Sequence, residues 1–392
     1  MVYAFSFWPT TPPTVRMRMR RSARSTPMVT MVSTSSSSSS TRNTEGNIIE
    51  DSDSTRRRDT LRFRCRVAYD GTSFMGFQLQ ANTSKRTIQG VLEDVLSRRF
   101  DQPIRVVGAG RTDAGVHSRG QAVHFDVPIT KVVQPGLPLT DNNNSSSFNS
   151  NTILETTTML PDEDWINRLQ HSLNKMLPTD IRIWNVQVAP KPSPEFVNGK
   201  TSVYKWNVMR KPTGKLYSYR FCKASAMDPL LRYQRWQLDW GHDVDIALLE
   251  SVLQEYIGTH DFKCFSGMLE QTAKKRAFSS SNSTTIKPLD TIRTVYNVTL
   301  TREDGDDYSD DQELYRIDIH LQGALYKMVR NMVGTAVDVS RGWLPYETFQ
   351  TLLLDPKNNN ESSLSRKDNP CKPAPPQGLT LERVYYDDDD DF

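Results

Sequence analysis

Cysteine is scarce: Cys65, Cys222, Cys264 and Cys371 are the only four in 392 residues. None stands in a C-x-x-C pair, so the spacing fits neither a disulfide framework nor a zinc site, and reduced, buried thiols are expected. No apolar run approaches the ~18–20 residues of a membrane-spanning helix, so no membrane association is expected. The 19 glycines follow no period and long heptads are missing, which excludes collagen-like and coiled-coil chains. An excess of one charge is also lacking. The 49 basic and 46 acidic residues leave a net +3, too little for total charge to point to nucleic acid. At 36% hydrophobic the chain is poorer in apolar residues than an ordinary globular domain, and polar low-complexity stretches account for much of the deficit.

Acidic residues and lysine are missing altogether from residues 1–44, which hold six arginines and a serine run at 35–40. Arg-rich, Ser-rich and acid-free is the composition of an organellar transit peptide, plastid or mitochondrial. No apolar core for a secretory signal follows the arginines. The other reading is a basic tail that binds nucleic acid or serves nuclear import. On both readings residues 1–60 are an N-terminal extension expected to be disordered, and the fold begins near Leu61. Segments 134–163, 278–288, 303–312 and 355–376 are too polar to offset the entropy of ordering them, and read as disordered insertions. Residues 387–392 form an acidic tail.

Between these segments the periodicity is clear. From Leu61 to Tyr69 apolar residues alternate with Arg62, Arg64 and Arg66, the pattern of a half-buried strand. Ile88, Val91, Leu92, Val95, Leu96 and Phe100 have helical spacing, and Thr87 suits the N-cap. The same reasoning predicts strands at 104–109, 121–127, 181–188, 202–209, 291–301, 314–321 and 379–386. It predicts helices at 165–177, 248–257, 326–339 and 346–354. This order argues for an α+β fold with largely antiparallel sheet and helices packed on one face. Two groups of strands and helices, 61–190 and 191–386, suggest two similar halves facing a cleft.

One loop carries a chemical signal. Gly108-Ala109-Gly110-Arg111-Thr112-Asp113 follows a strand and superficially matches a dinucleotide fingerprint. Asp113, however, takes the third glycine's place, where a carboxylate repels a pyrophosphate, and strand-like alternation follows instead of a helix. A nicotinamide or flavin enzyme is therefore disfavoured. The glycines permit a tight loop that a bulky polymer can approach, with Arg111 and Asp113 diverging and Thr112 bonding the loop's backbone. A plain turn with a local Arg–Asp pair stands as the alternative.

Gly110-Arg111-Thr112-Asp113-Ala114-Gly115-Val116-His117, continued by Gly120-Gln121-Ala122-Val123-His124-Phe125, resembles the signature of TruA-type tRNA pseudouridine synthases of the bacterial and organellar kind. Further segments match in order: Tyr69-Asp70-Gly71-Thr72, Thr87-Ile88-Gln89-Gly90, Leu177-Pro178-Thr179-Asp180, Gly258-Thr259-His260-Asp261-Phe262, Thr291-Ile292-Arg293, Tyr326-Lys327-Met328-Val329-Arg330-Asn331, and Ala374-Pro375-Pro376-Gln377-Gly378. The resemblance spans about 61–386. Phe77 stands where the family has Trp, and 193–200 lacks the family's Arg-Phe wording.

The resemblance implies the pseudouridine synthase fold and isomerisation of uridine in the tRNA anticodon stem-loop, at positions 38–40. It implies no cofactor and no metal, tRNA as partner, and a homodimer. It assigns the nucleophile or base to Asp113, and matches Arg330 as the cation that favours the anionic form. A phosphate-contacting stripe is the other reading of Arg330. The target uridine must leave the stack. The resemblance gives stacking, and candidate acceptance of the C5 proton, to Tyr204, and gives Arg111 the task of holding the flipped state. Thr112, Gln121, Lys327, Arg64 and Arg66 complete the expected substrate contacts, the arginines as phosphate ligands. A non-catalytic tRNA-binding protein on the same scaffold is the alternative function.

Overall fold

Alternation of apolar residues with arginine gives the first strand, and its partners follow from the same period. A computed structural model describes residues 60–80, 85–132, 161–190, 193–197, 200–210, 212–238, 243–267, 290–303, 312–354 and 364–387. The extension 1–59 lies outside the described residues, as do 133–160, 268–289, 304–311, 355–363 and the tail from 388. The strands are β1 (Thr60–Tyr69), β2 (Val106–Gly108), β3 (His117–Pro128), β4 (Ile181–Val188), β5 (Ser193–Val197), β6 (Lys200–Tyr204), β7 (Pro212–Lys223), β8 (Trp236–Leu238), β9 (Gly258–Asp261), β10 (Ile292–Glu303), β11 (Glu313–Leu321) and β12 (Leu379–Tyr386). The helices are α1 (Ile88–Phe100), α2 (Glu163–Met176), α3 (Ile246–Gln254), α4 (Met328–Ser340) and α5 (Tyr346–Leu354).

Ten strands join one sheet whose main path runs β4-β1-β3-β12-β7-β11-β10-β9, while β5 and β6 form a separate ribbon. The pairings are antiparallel except β12 with β3 and β7 with β8. This is an α+β fold. The closing strand β12 is inserted between β3 and β7, so the C-terminal end of the chain stitches the two sides of the sheet together. One core lies under α1 and α2, around Phe63, Cys65, Val67 and Phe125. The other lies under α3, α4 and α5, around Tyr219, Ile317, Ile319 and Met332. Each fully buried aliphatic or aromatic side chain contributes ~1.5–3 kcal/mol. The four cysteines are free and buried. No helix among the described residues is long and apolar enough to cross a membrane.

The bounds of β4 and β12 agree with the periodicity, and Thr87 caps α1 by accepting from the Gly90 N–H. Several expectations need correction. Of the insertion expected at 134–163, Asp162 caps α2 and Glu163 opens it, and Glu303, expected to begin the insertion 303–312, ends β10 in an ion pair with Arg235. The strand expected at 202–209 ends at Tyr204. The long central strand β7 was not among the predicted strands; it opens on Pro212, a residue tolerated at a strand's first position. Segment 355–376 was also expected as a disordered insertion. From residue 364 it is folded instead: Asn369, Cys371 and Ala374 are buried against α4, and Asn369 Nδ2 donates to Thr335 Oγ1 at 3.0 Å.

That packed segment explains a glycine in mid-helix. A Cβ on Gly334 would lie 2.1 Å from the Lys372 carbonyl oxygen and 3.0 Å from the Ala374 nitrogen. In an open helix, Gly→Ala gains ~1 kcal/mol. Here the methyl group meets backbone, and overpacking costs ~1–3 kcal/mol or more. G334A is expected to lower the thermal midpoint, since Ala374 must move away from α4. Thermal unfolding checks this, and an unchanged midpoint contradicts it.

Candidate active site

The Asp113 loop connects β2 to β3 and is pinned from several sides. The Ala109 N–H donates to Ala122 O at 2.9 Å, and Gln121 Nε2 donates to Gly110 O at 2.9 Å. The Phe77 N–H donates to Thr112 O at 3.1 Å, and the Thr112 and Tyr69 hydroxyls lie 2.8 Å apart. The Val116 N–H closes the turn onto Asp113 O at 3.2 Å. Gly76 lets the neighbouring loop approach. Its φ is +91°, and a Cβ there would stand 2.7 Å from Thr112 O. A loop held at this many backbone atoms has little freedom left to reorient its one carboxylate.

That carboxylate meets α4. Arg330 Nη1 donates to Asp113 Oδ2 at 3.0 Å, across 217 residues of sequence. Arg330 Nε donates to Ala374 O at 2.7 Å, and the Ala374 N–H donates back to Arg330 O at 2.8 Å. The planar guanidinium thus bridges a fixed carbonyl and the carboxylate. α4 is apolar on nearly every side and therefore buried, and Arg330 stands in its first turn at the cleft end. Lys327, just before α4, adopts left-handed backbone with φ +58°, an uncommon state for a non-glycine residue. The helix consequently starts at Met328 rather than at 326.

Asp113 and Arg330 lie in a cleft of about 820 Å³. Its described lining carries four cations (Arg111, Lys215, Lys327 and Arg330) against the single acid Asp113. Local charge therefore favours a polyanion where the total charge says little. Tyr217 also lines the cleft. Burial, with the nearby Tyr69 and Asp113, raises its hydroxyl well above the usual tyrosine range, so it stays protonated. Burial likewise pushes Tyr69 up to about 12 and Lys215 down to about 8.

Of the residues expected in the site, the structure brings together Asp113, Arg330, Arg111, Thr112 and Lys327. Gln121 is corrected: it is fully buried and braces Gly110, so it has no surface to offer RNA. Arg64 is corrected too. It is buried, donates to Gln187 Oε1 at 3.0 Å and lies over the Trp206 ring. Arg66 is half-buried on the same strand and outside the cleft lining. Tyr204 ends β6, in the separate ribbon, and its side chain lies outside the described residues. Lys215 and Tyr217 were missed. The alternation Lys215, Tyr217, Tyr219, Phe221 was the available signal, since every second residue of a strand shares a face.

A family model described as tRNA pseudouridine synthase matches residues 66–137 and 252–387, which include Asp113 and Arg330. The tRNA pseudouridine synthase A 1 of Protochlamydia amoebophila is 30% identical over 332 residues, 83% of this chain and 97% of that protein. The tRNA pseudouridine synthase A of Anoxybacillus flavithermus is 30% identical over 327 residues, 83% and 99% of the two chains. That of Maridesulfovibrio salexigens is 31% identical over 328 residues, 83% and 90%. A pinned aspartate loop, an arginine delivered to it from a buried helix, and likeness to these proteins over most of the folded chain lead to one assignment: this chain belongs to the tRNA pseudouridine synthase family.

Proposed function

We propose that the chain isomerises uridine to pseudouridine in tRNA, in the anticodon stem-loop at positions 38–40. The observation that carries this is the Asp113 carboxylate held 3.0 Å from Arg330 in a cationic cleft. In the reaction the N1–C1′ bond breaks, a C5–C1′ bond forms, C5 loses its proton and N1 gains one. Asp113 acts toward the nucleoside as nucleophile or base, which suits a carboxylate kept in place by a guanidinium. The uridine reaches it by leaving the stack. In this reading Arg111, which is exposed at the cleft, holds the opened state. Tyr204 gives the aromatic face against the flipped base, and Tyr217 lines the same cleft as Asp113. Retaining its proton, it offers a ring and a hydrogen-bond donor, not a phenolate.

The test uses unmodified tRNA carrying tritium at uridine C5. The full chain is expected to release tritium to water, and site-resolved mapping is expected to place pseudouridine at 38–40. Binding of tRNA without release of tritium would instead support a non-catalytic tRNA-binding protein. The reading includes a homodimer, checked by sedimentation equilibrium. It also includes import into an organelle, which rests on the composition of residues 1–44 and is checked by locating a tagged full-length chain.

A further inference from the structure

Lys215 is a buried cation without a counter-charge. It is 9% exposed and lines the cleft, and its Nζ makes one hydrogen bond, to Ala109 O at 3.0 Å. Among the described residues no carboxylate lies within ion-pair distance of it. An ammonium has three donors, and this one leaves two unused. Buried charges are ordinarily paired, and burial already draws this lysine down to about 8. The position is also informative. Lys215 and Tyr217 are two apart on β7 and share a face, and both line the cleft that holds Asp113, with Lys215 bonded to Ala109 at the foot of the Asp113 loop. The missing partner is therefore expected to arrive with the substrate.

We propose that Lys215 contacts the substrate directly, donating from Nζ to a negatively charged oxygen of the bound nucleotide. This rests on the synthase reading. Two sources supply such an oxygen: a phosphate flanking the target uridine, and a uracil carbonyl that gains charge as the N1–C1′ bond breaks.

The experiment compares the full-length chain with K215M, on unmodified tRNA. It reads the single-turnover rate, the Kd across a salt series, and the thermal midpoint. K215M is expected to lose about 100-fold in rate or affinity, the scale of losing one donor to a developing or fixed anion. Its midpoint should stay at or above that of the wild type, because an uncompensated buried cation has been removed. Weaker Kd with a salt slope lower by about one identifies the phosphate. A slower single turnover at unchanged Kd identifies the uracil oxygen. Rate and Kd both within about threefold of wild type overturn the assignment. So does a loss of activity accompanied by a lowered midpoint, which marks Lys215 as structural support for the loop. A wild-type chain that forms no pseudouridine refutes the synthase reading itself, an outcome distinct from a fully active K215M.

Discussion

Asp113→Asn is expected to reduce pseudouridine formation by about 10⁴-fold or more, the scale of losing a group that acts on the reacting bonds. The substitution is chosen for what it keeps. Asparagine has nearly the shape of aspartate, and its carbonyl oxygen can still accept from Arg330 Nη1, now 3.0 Å from Asp113 Oδ2. The loop should stay in place, because its anchors at Ala109, Gly110 and Thr112 are backbone atoms held by Ala122, Gln121 and Phe77. Affinity for tRNA should stay within about threefold of wild type, since the cleft cations Arg111 and Lys327 are unchanged. Tritium release in single-turnover conditions and filter binding measure the two quantities. A variant retaining more than about 1% of the rate would show that the chemistry lies elsewhere in the cleft.

The Asp113 loop was legible in the sequence because it is local, although its spacing alone also fitted a plain turn with an Arg–Asp pair and the resemblance supplied the role of Asp113. The glycines and the polar trio Arg111, Thr112 and Asp113 stand side by side, and strand patterns frame them. Arg330 was matched by the family resemblance; the helix pattern itself put Lys327, Arg330 and Asn331 on one polar stripe and left a phosphate contact as the other reading. The remaining site residues depend on non-local facts. Alternation tells which face of a strand a residue occupies, but not what covers that face. Arg64 and Gln121 were therefore read as open to RNA, although Trp206 lies over one and the loop itself over the other. Lys215 and Tyr217 were hidden by the converse problem. β7 is central, between β12 and β11, yet it opens on Pro212, tolerated because it is the strand's first residue. The 364–376 segment shows a third limit. Its composition is too polar and proline-rich to suggest packing, but much of what holds it is backbone: Ala374 N–H and C=O both bond Arg330, and the Cys371 N–H bonds Asn369 Oδ1.

The second large effect follows from that segment. Arg330→Met is expected to slow turnover by about 10³-fold, and Arg330→Lys by about 10²-fold, with KM moving much less than kcat. These are the magnitudes of losing preorganisation around a reacting group rather than the group itself. Lysine keeps the charge but not the function, because a point-like ammonium cannot span Ala374 O and Asp113 Oδ2 as the guanidinium does at 2.7 and 3.0 Å. Stability should fall modestly in both variants. Asp113 is 21% exposed, so water can take over part of the lost pairing. The sharper test is the double variant D113N/R330M. If Arg330 acts on the chemistry through Asp113, the two changes are far from additive, and the double variant is about as slow as D113N alone. Additive losses would mean that Arg330 touches the nucleotide independently, as a phosphate contact, and the bridge from Ala374 to Asp113 would then be a feature of the free enzyme without a part in turnover.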